Sequence, residues 1–422
     1  MTHGTCSAFQ KYISEQDGLM FYGWKIVAVA MLALGLSCGV ASYSFGLLVL
    51  PVSHEFGATR MEIMWALTAC SLATMLLSPM AGTLMDKRSA RSLFVIGTLF
   101  LAASLFLISF SRHVWEFILV YGLVMSLGST LLGPLGANTL VARWFSRGSG
   151  RAMGITAMGT SLGGFFVPLI LQALIDEHGW RRACFYLGGI VTLLLLPPII
   201  WLVCDNPSDL DLHPDGEPGL HRHQRSGVGL TQARLPNLWK DASFWRISLA
   251  VGASMATFTA MLANLVPFAI GHGVASKQAA LLVSVISMAG FGGKVLFSVF
   301  ADRINLKYCM LTALLMAGLP MLLLVWFHEF PIIVLAAISV GLSSGAFLPA
   351  WGALVARVYG PLIFGRVMGF MQPVTIVMVI LAIPMVGHLY DLSGSYSAGF
   401  LVLVSAVGLA ILGFLPLRLT HQ

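Results

Sequence analysis

Leu140-Val141-Ala142-Arg143, followed by Arg151-Ala152-Met153-Gly154, returns later in the chain as Leu354-Val355-Ala356-Arg357, followed by Arg366-Val367-Met368-Gly369. The spacing is about 215 residues, and two further matches keep it. Asp176, Gly179 and Phe185 fall on Asp391, Gly394 and Phe400, and Asp86 falls on Asp302. Short matches arise easily in apolar sequence; three at one offset do not. The chain therefore reads as two homologous halves. Of its 422 residues, 58% are hydrophobic and 10% charged, against about 25% charged in a soluble domain. That is too little polar surface for a water-soluble body, so the protein is expected to be integral to a membrane. Long apolar runs exclude an outer-membrane barrel, whose strands alternate over about ten residues.

Runs of about 20 apolar residues predict twelve helical spans, at 26–50, 63–84, 92–111, 117–141, 152–175, 183–204, 247–271, 278–300, 308–327, 331–355, 367–388 and 396–417. Only helices satisfy their backbone in such runs. The predicted fold class is an all-α membrane protein with two six-helix bundles. Its parts are an N-terminal segment 1–24, a first bundle 25–204, a linker 205–243, a second bundle 244–417 and a tail 418–422. Met1–Tyr22 shows no signal-peptide core. With the N-terminus inside, 18 lysines and arginines face the cytoplasm and 5 face outside, as the positive-inside rule asks. Both termini are expected to be cytoplasmic. The net charge of +7 is then a topology signal and implies no nucleic-acid partner. Most of the six cysteines lie in apolar runs and read as small hydrophobes. Two homologous six-helix halves are the architecture of secondary transporters.

Between spans 2 and 3 stands Gly82-Thr83-Leu84-Met85-Asp86-Lys87-Arg88, then Arg91. This loop resembles the signature of the major facilitator superfamily, with Ser89 where a glycine is usual. Within that superfamily the chain is most similar to the monocarboxylate transporters and the oxalate–formate antiporter group. The likeness rests on Tyr22-Gly23-Trp24, Tyr43-Ser44-Phe45-Gly46 leading to Glu55-Phe56-Gly57, Arg143-Trp144-Phe145-Ser146-Arg147, Asn206-Pro207-Ser208-Asp209-Leu210 and His213-Pro214-Asp215-Gly216. The loop has a gating reading. Asp86, with Lys87 and Arg91, would latch the cytoplasmic side by pairing with Arg147 or Arg151 or with helix N-terminal amides. Asp302 and Arg303 would repeat the device. The bland reading is a set of solvated topology charges contributing about 0–1 kcal/mol each.

Lys294 is the only Asp, Glu, Lys or Arg strictly inside any of the twelve runs. A central lysine opposes insertion by about 2.5–3.5 kcal/mol and commonly faces a cavity; the alternative is snorkelling along its stem. The resemblance implies a carboxylate-binding cation in this part of span 8, usually arginine. The chain departs from its relatives elsewhere. Gly290 stands where some carry an aspartate one turn earlier, Tyr43-Ser44-Phe45 where a lysine is found in span 1, and Gln372 and His388 are the candidates for a second cation in span 11. One cation suits a monoanion.

Tyr43, Ser44, Asn138, Asn264, Phe291 and Gln372 are further candidate substrate contacts, and Tyr121 is another polar residue within a span. Lys294, or His388 with Asp391 three residues on, are the candidate proton carriers. No phosphate loop or His-Glu-x-x-His is present, so neither ATP, a metal, another cofactor nor an enzymatic activity is expected. The expected function is secondary transport of a small organic anion, a monocarboxylate moved with a proton, in a cell inner membrane. An exporter or facilitator of a neutral or amphiphilic compound is the alternative, and a transporter-like sensor a remote third.

Overall fold

The computed structural model describes residues 21–146, 148–210, 212–216 and 238–417. All regular structure among them is helical, because apolar backbone in a bilayer must satisfy its own N–H and C=O groups. The first crossing is α1 (Gly23–Cys38), a π-turn (Gly39–Tyr43) and α2 (Phe45–Phe56). α3 (Arg60–Lys87) and α4 (Ala90–Phe110) follow. The fourth crossing runs through α5 (Val114–Leu119), a second π-turn (Val120–Met125), α6 (Ser126–Leu132) and α7 (Pro134–Trp144). α8 (Ser149–Leu202) comes next. The remaining helices are α9 (Ala242–Gly271), α10 (Ser276–Phe300), α11 (Leu306–Trp326), α12 (Phe330–Tyr359), α13 (Phe364–Ser393) and α14 (Ser397–Phe414).

Among the described residues, eleven helices are long and apolar enough to cross a membrane, one fewer than the predicted spans. The difference lies in α8. Its 54 residues would extend about 80 Å at 1.5 Å each, against a hydrocarbon core of about 30 Å, so it serves as two crossings. The sequence predicts spans 5 and 6 as separate runs, at 152–175 and 183–204. Helical bonding instead runs on through polar Asp176-Glu177-His178, and the break is confined to Gly179 at φ 78° and ψ 160°. Only glycine adopts that conformation without strain.

The chain divides into two compact units. The first runs to Gly229 and includes Tyr359–Phe370; the second takes Leu230–Val358 and Met371 onward. In the first unit, α1 lies against α8 through glycines. A methyl added at Gly35 would fall 2.7 Å from the Gly159 carbonyl oxygen, and one at Gly163 would run into the Gly35 backbone. Such small-residue seams replace the hydrophobic drive that lipid cannot supply. The same unit is clasped at one end by Glu55. It accepts from Trp180 Nε1 and, at 2.7 Å, from Arg181 Nε, while Arg181 also donates to the Ser109 carbonyl at 2.9 Å. The second unit has a core of Met261, Leu265, Phe268, Met321, Val340 and Phe400.

Capping fixes where several helices begin. Thr59 and Glu62 form a capping box before α3, satisfying amides that a helix start leaves open. Ser89, the departure from the family loop, accepts from the Ser92 amide and caps α4. Asp241 and Asn305 cap α9 and α11. Cys70, Cys184 and Cys309 are free thiols, in keeping with packing roles; Cys204 is an exception, being disulfide-bonded.

Candidate functional site

Asp86 lies at the end of α3, one turn beyond Gly82. Its Oδ1 accepts from the Gly365 amide at 2.8 Å and its Oδ2 from the Arg366 amide at 2.7 Å. These amides belong to the first turn of α13, in the part of that helix that the first unit contains. The carboxylate therefore satisfies two open donors and meets the positive end of the helix dipole. Gly82 and Gly365 permit the approach, since a methyl on Gly82 would run into the Gly365 backbone and one on Gly365 would lie 2.7 Å from the Gly82 carbonyl oxygen. Of the partners expected for Asp86, the helix amides are the ones it uses. Arg147 lies outside the described residues, and the Arg151 guanidinium stands over the Trp24 ring at 5.3 Å. Lys87 is exposed, as are Asp302 and Arg303 beyond α10.

Around Asp86 the motifs that follow spans 2, 4 and 6 interlock. Arg143 donates to the Met85 carbonyl and sits among the charges of Asp205, Asp86 and Asp209. Asp205 is buried and accepts from the Arg91 amide at 3.0 Å, at the start of α4. Asp215 reaches the turn before α8, accepting from the Ser146 amide at 2.9 Å and the Gly148 amide at 3.2 Å. The stretch expected to begin a linker is thus seated on the first unit, with Pro207 and Leu210 buried. Tyr22 donates to the Leu202 carbonyl at 2.9 Å and Trp144 Nε1 to the Cys204 carbonyl at 3.1 Å.

Lys294 lies on α10 in the second unit and is 7% exposed. It shares the buried side of α10 with Gly290, Gly293 and Ser298, while Phe291 and Val295 are exposed. That side packs on α12 by backbone contact. A methyl at Gly293 would lie 2.5 Å from the Leu342 carbonyl oxygen, and one at Gly345 would lie 2.6 Å from the Lys294 amide nitrogen. Gly290 joins the seam through Ser344; Gly292 opens onto nothing within 4 Å.

The other candidates are scattered. In the first unit, Tyr43 is half exposed, Ser44 and Asn138 are buried, and the Ser44 hydroxyl has no partner among the described residues. Tyr121 is fully buried and spends its hydroxyl on the Ala41 carbonyl, so it does not line an open surface. In the second unit, the Asn264 amide donates to the Ala260 carbonyl of its own helix at 2.8 Å. Gln372 keeps a buried Oε1 with no partner among the described residues, and neighbouring Met371 receives the Trp351 indole N–H on its sulfur at 3.4 Å. His388 and Asp391 are both exposed, and no bond joins them among the described residues.

A family model described as Major Facilitator Superfamily matches residues 27–307 and 272–421. This chain belongs to the major facilitator superfamily. Its relatives include monocarboxylate transporter 12 of Rattus norvegicus, 26% identical over 406 residues, covering 90% of this chain and 82% of that protein. Monocarboxylate transporter 11 of Mus musculus is 27% identical over 406 residues, covering 92% and 85%. Among solved structures, the proton:xylose symporter XylE bound to 6-bromo-6-deoxy-D-glucose superimposes with a TM-score of 0.74 at 14% identity, covering 93% of this chain and 94% of that one. The superfamily member is thus a multi-pass membrane transporter and not an enzyme, related to the monocarboxylate transporters.

In this superfamily member, the ties made by Asp205, Asp215 and the Gly365 and Arg366 amides escape a reading of the sequence. Their acceptors and donors are largely backbone groups, which every residue carries. The signal that was present is the run of acids after span 6, which has no role in an unattached linker.

Proposed function

We propose that this transporter carries a small organic anion, a monocarboxylate moved together with a proton, by alternating access across a cell inner membrane. The supporting observation is Lys294, the one cation inside an apolar span, held 7% exposed. An ionisable group inside a span marks a substrate pathway, and an ammonium suits a carboxylate. Gln372, with its Oε1 unpartnered among the described residues, and Phe291 complete the contacts proposed for the second unit; Tyr43, Ser44 and Asn138 are those proposed for the first. Asp86 holds the first turn of α13 in one state of the cycle and releases it in another.

The proton is carried by Lys294 or by His388, and two substitutions separate them. Arginine does not deprotonate in proteins, so Lys294→Arg keeps anion binding and loses proton coupling if Lys294 is the carrier. His388→Gln does so if His388 is. The central test is uptake of labelled mono- and dicarboxylates into proteoliposomes under an imposed inward proton gradient. Full transport and unchanged affinity in Lys294→Gln would sink the reading. A second reading follows from the packing of Lys294 in the α10–α12 seam: a neutral or amphiphilic cargo, with the lysine structural. Inhibition of transport by simple carboxylates separates the two.

A further inference from the structure

The first and fourth crossings of the first unit are each interrupted by a π-turn, Gly39–Tyr43 and Val120–Met125. A π-turn fits an extra residue into a helix, is rare, and recurs at functional sites. One hydrogen bond joins the two. Tyr121, in the second turn, donates its hydroxyl to the Ala41 carbonyl in the first at 2.8 Å. Its ring also meets Phe45, just past the first turn, at 4.9 Å. A fully buried phenol needs a partner, and this one takes backbone from the neighbouring crossing.

The first π-turn has a chemical consequence. Thr98, Ser248 and Ser254 hand their hydroxyl protons to the carbonyl four residues back, the usual fate of a hydroxyl within a helix. Ser44 ends the π-turn instead. Its amide bonds Gly39, five residues back, at 3.0 Å, and its hydroxyl is 1% exposed without a partner among the described residues. Tyr43 beside it is 51% exposed, with its ring over Gly164. The turn therefore releases one hydroxyl and presents one phenol, a pair suited to the oxygens of an organic acid.

We propose that Tyr121 is a positioning residue: its hydroxyl holds the Gly39–Tyr43 π-turn, and the turn sets Tyr43 toward passing cargo, with the Ser44 hydroxyl left unspent beside it. The proposal rests on the carrier reading above. Without the hydroxyl, the extra residue is absorbed into an α-helix. One residue of register is about 100° of rotation, which carries Tyr43 off its open face.

Tyr121→Phe removes the hydroxyl alone. Tyr43→Cys is labelled by a water-soluble maleimide in proteoliposomes, with and without Tyr121→Phe, and modification is read by peptide mass spectrometry so that native cysteines do not interfere. The expected result is labelling slowed by roughly threefold or more, the scale of losing one hydrogen bond. A smaller change, faster labelling (the sign of simple loosening) or no labelling in the Tyr121 parent overturns the proposal. Should Tyr43→Cys fail to fold, Gly46→Cys serves as reporter, since Gly46 is exposed with nothing within 4 Å. In uptake, Tyr121→Phe and Ser44→Ala are expected to raise KM non-additively, because they act on one turn. Simple addition overturns the link. Labelling that depends on Tyr121 in a protein that takes up no acid removes the carrier reading alone. Uptake with unchanged labelling removes the positioning role alone.

Discussion

Lys294 combines burial with charge, a pairing that membranes penalise. Lys294→Met sheds an insertion penalty of about 2.5–3.5 kcal/mol and gives up the buried contacts of the ammonium, worth about 1.5–3 kcal/mol. It is therefore expected to melt within about 1 kcal/mol of the parent, while its KM for the acid rises about 10- to 100-fold, the worth of one charged hydrogen bond. Thermal unfolding in detergent and uptake kinetics check the two halves of that statement. Lys294 was legible because an ionised group inside an apolar run stands out by its rarity. The partners of Asp86 were only half legible: a carboxylate at a helix end announces that it caps something, but the amides of Gly365 and Arg366 carry no mark in the sequence. Asp86→Asn keeps the shape and removes the charge. A helix-end charge contributes about 0.3–1 kcal/mol, so a thiol at the buried position of Phe364 (Phe364→Cys) is expected to react about two- to fivefold faster in the Asp86→Asn background, read by maleimide labelling.

Among the elements, the spans were legible from hydropathy, because length and apolarity are what a bilayer demands. The interruptions within them were not. A π-turn adds one residue to an apolar run and leaves composition unchanged, so nothing in Gly39–Tyr43 or Val120–Met125 advertises it. At Asp176-Glu177-His178, between the predicted spans 5 and 6, polar side chains at a membrane edge are compatible with helix, and Gly179 alone makes the break. The glycine seam between α1 and α8 can be tested against a glycine on the same long helix that touches nothing. Gly163→Ala drives a methyl into the Gly35 backbone and is expected to destabilise by about 3 kcal/mol or more, the range of overpacking. Gly189→Ala meets nothing within 4 Å and is expected to be neutral or to stabilise by up to about 1 kcal/mol. Melting of the two variants side by side decides.

For the whole molecule, the internal repeat was the most informative feature of the sequence, since one offset ties six helices to six others. The fold follows from it, and the cargo does not, because the repeated stretches lie at span ends, where Asp86 binds backbone amides. Uptake of a monocarboxylate into proteoliposomes is expected to follow an inward proton gradient and to collapse when that gradient is dissipated. Dicarboxylates are expected to compete roughly tenfold more weakly or worse, because a second carboxylate would be desolvated without a counter-charge. Accumulation indifferent to the gradient would exclude proton coupling.

The anchoring of Asp205 and Asp215 on the first unit also bears on how such a chain can be divided into separately made fragments. A cut placed directly after Cys204 would leave those acids on the wrong polypeptide. The amides of Arg91, Ser146 and Gly148 would lose their acceptors. A cut after Gly216 keeps every one of these ties with the fragment that needs them. Co-expressed halves are therefore expected to reassemble and restore uptake in the second case and to do so poorly in the first, so that the functional seam of the gene lies beyond the point where the sixth crossing ends.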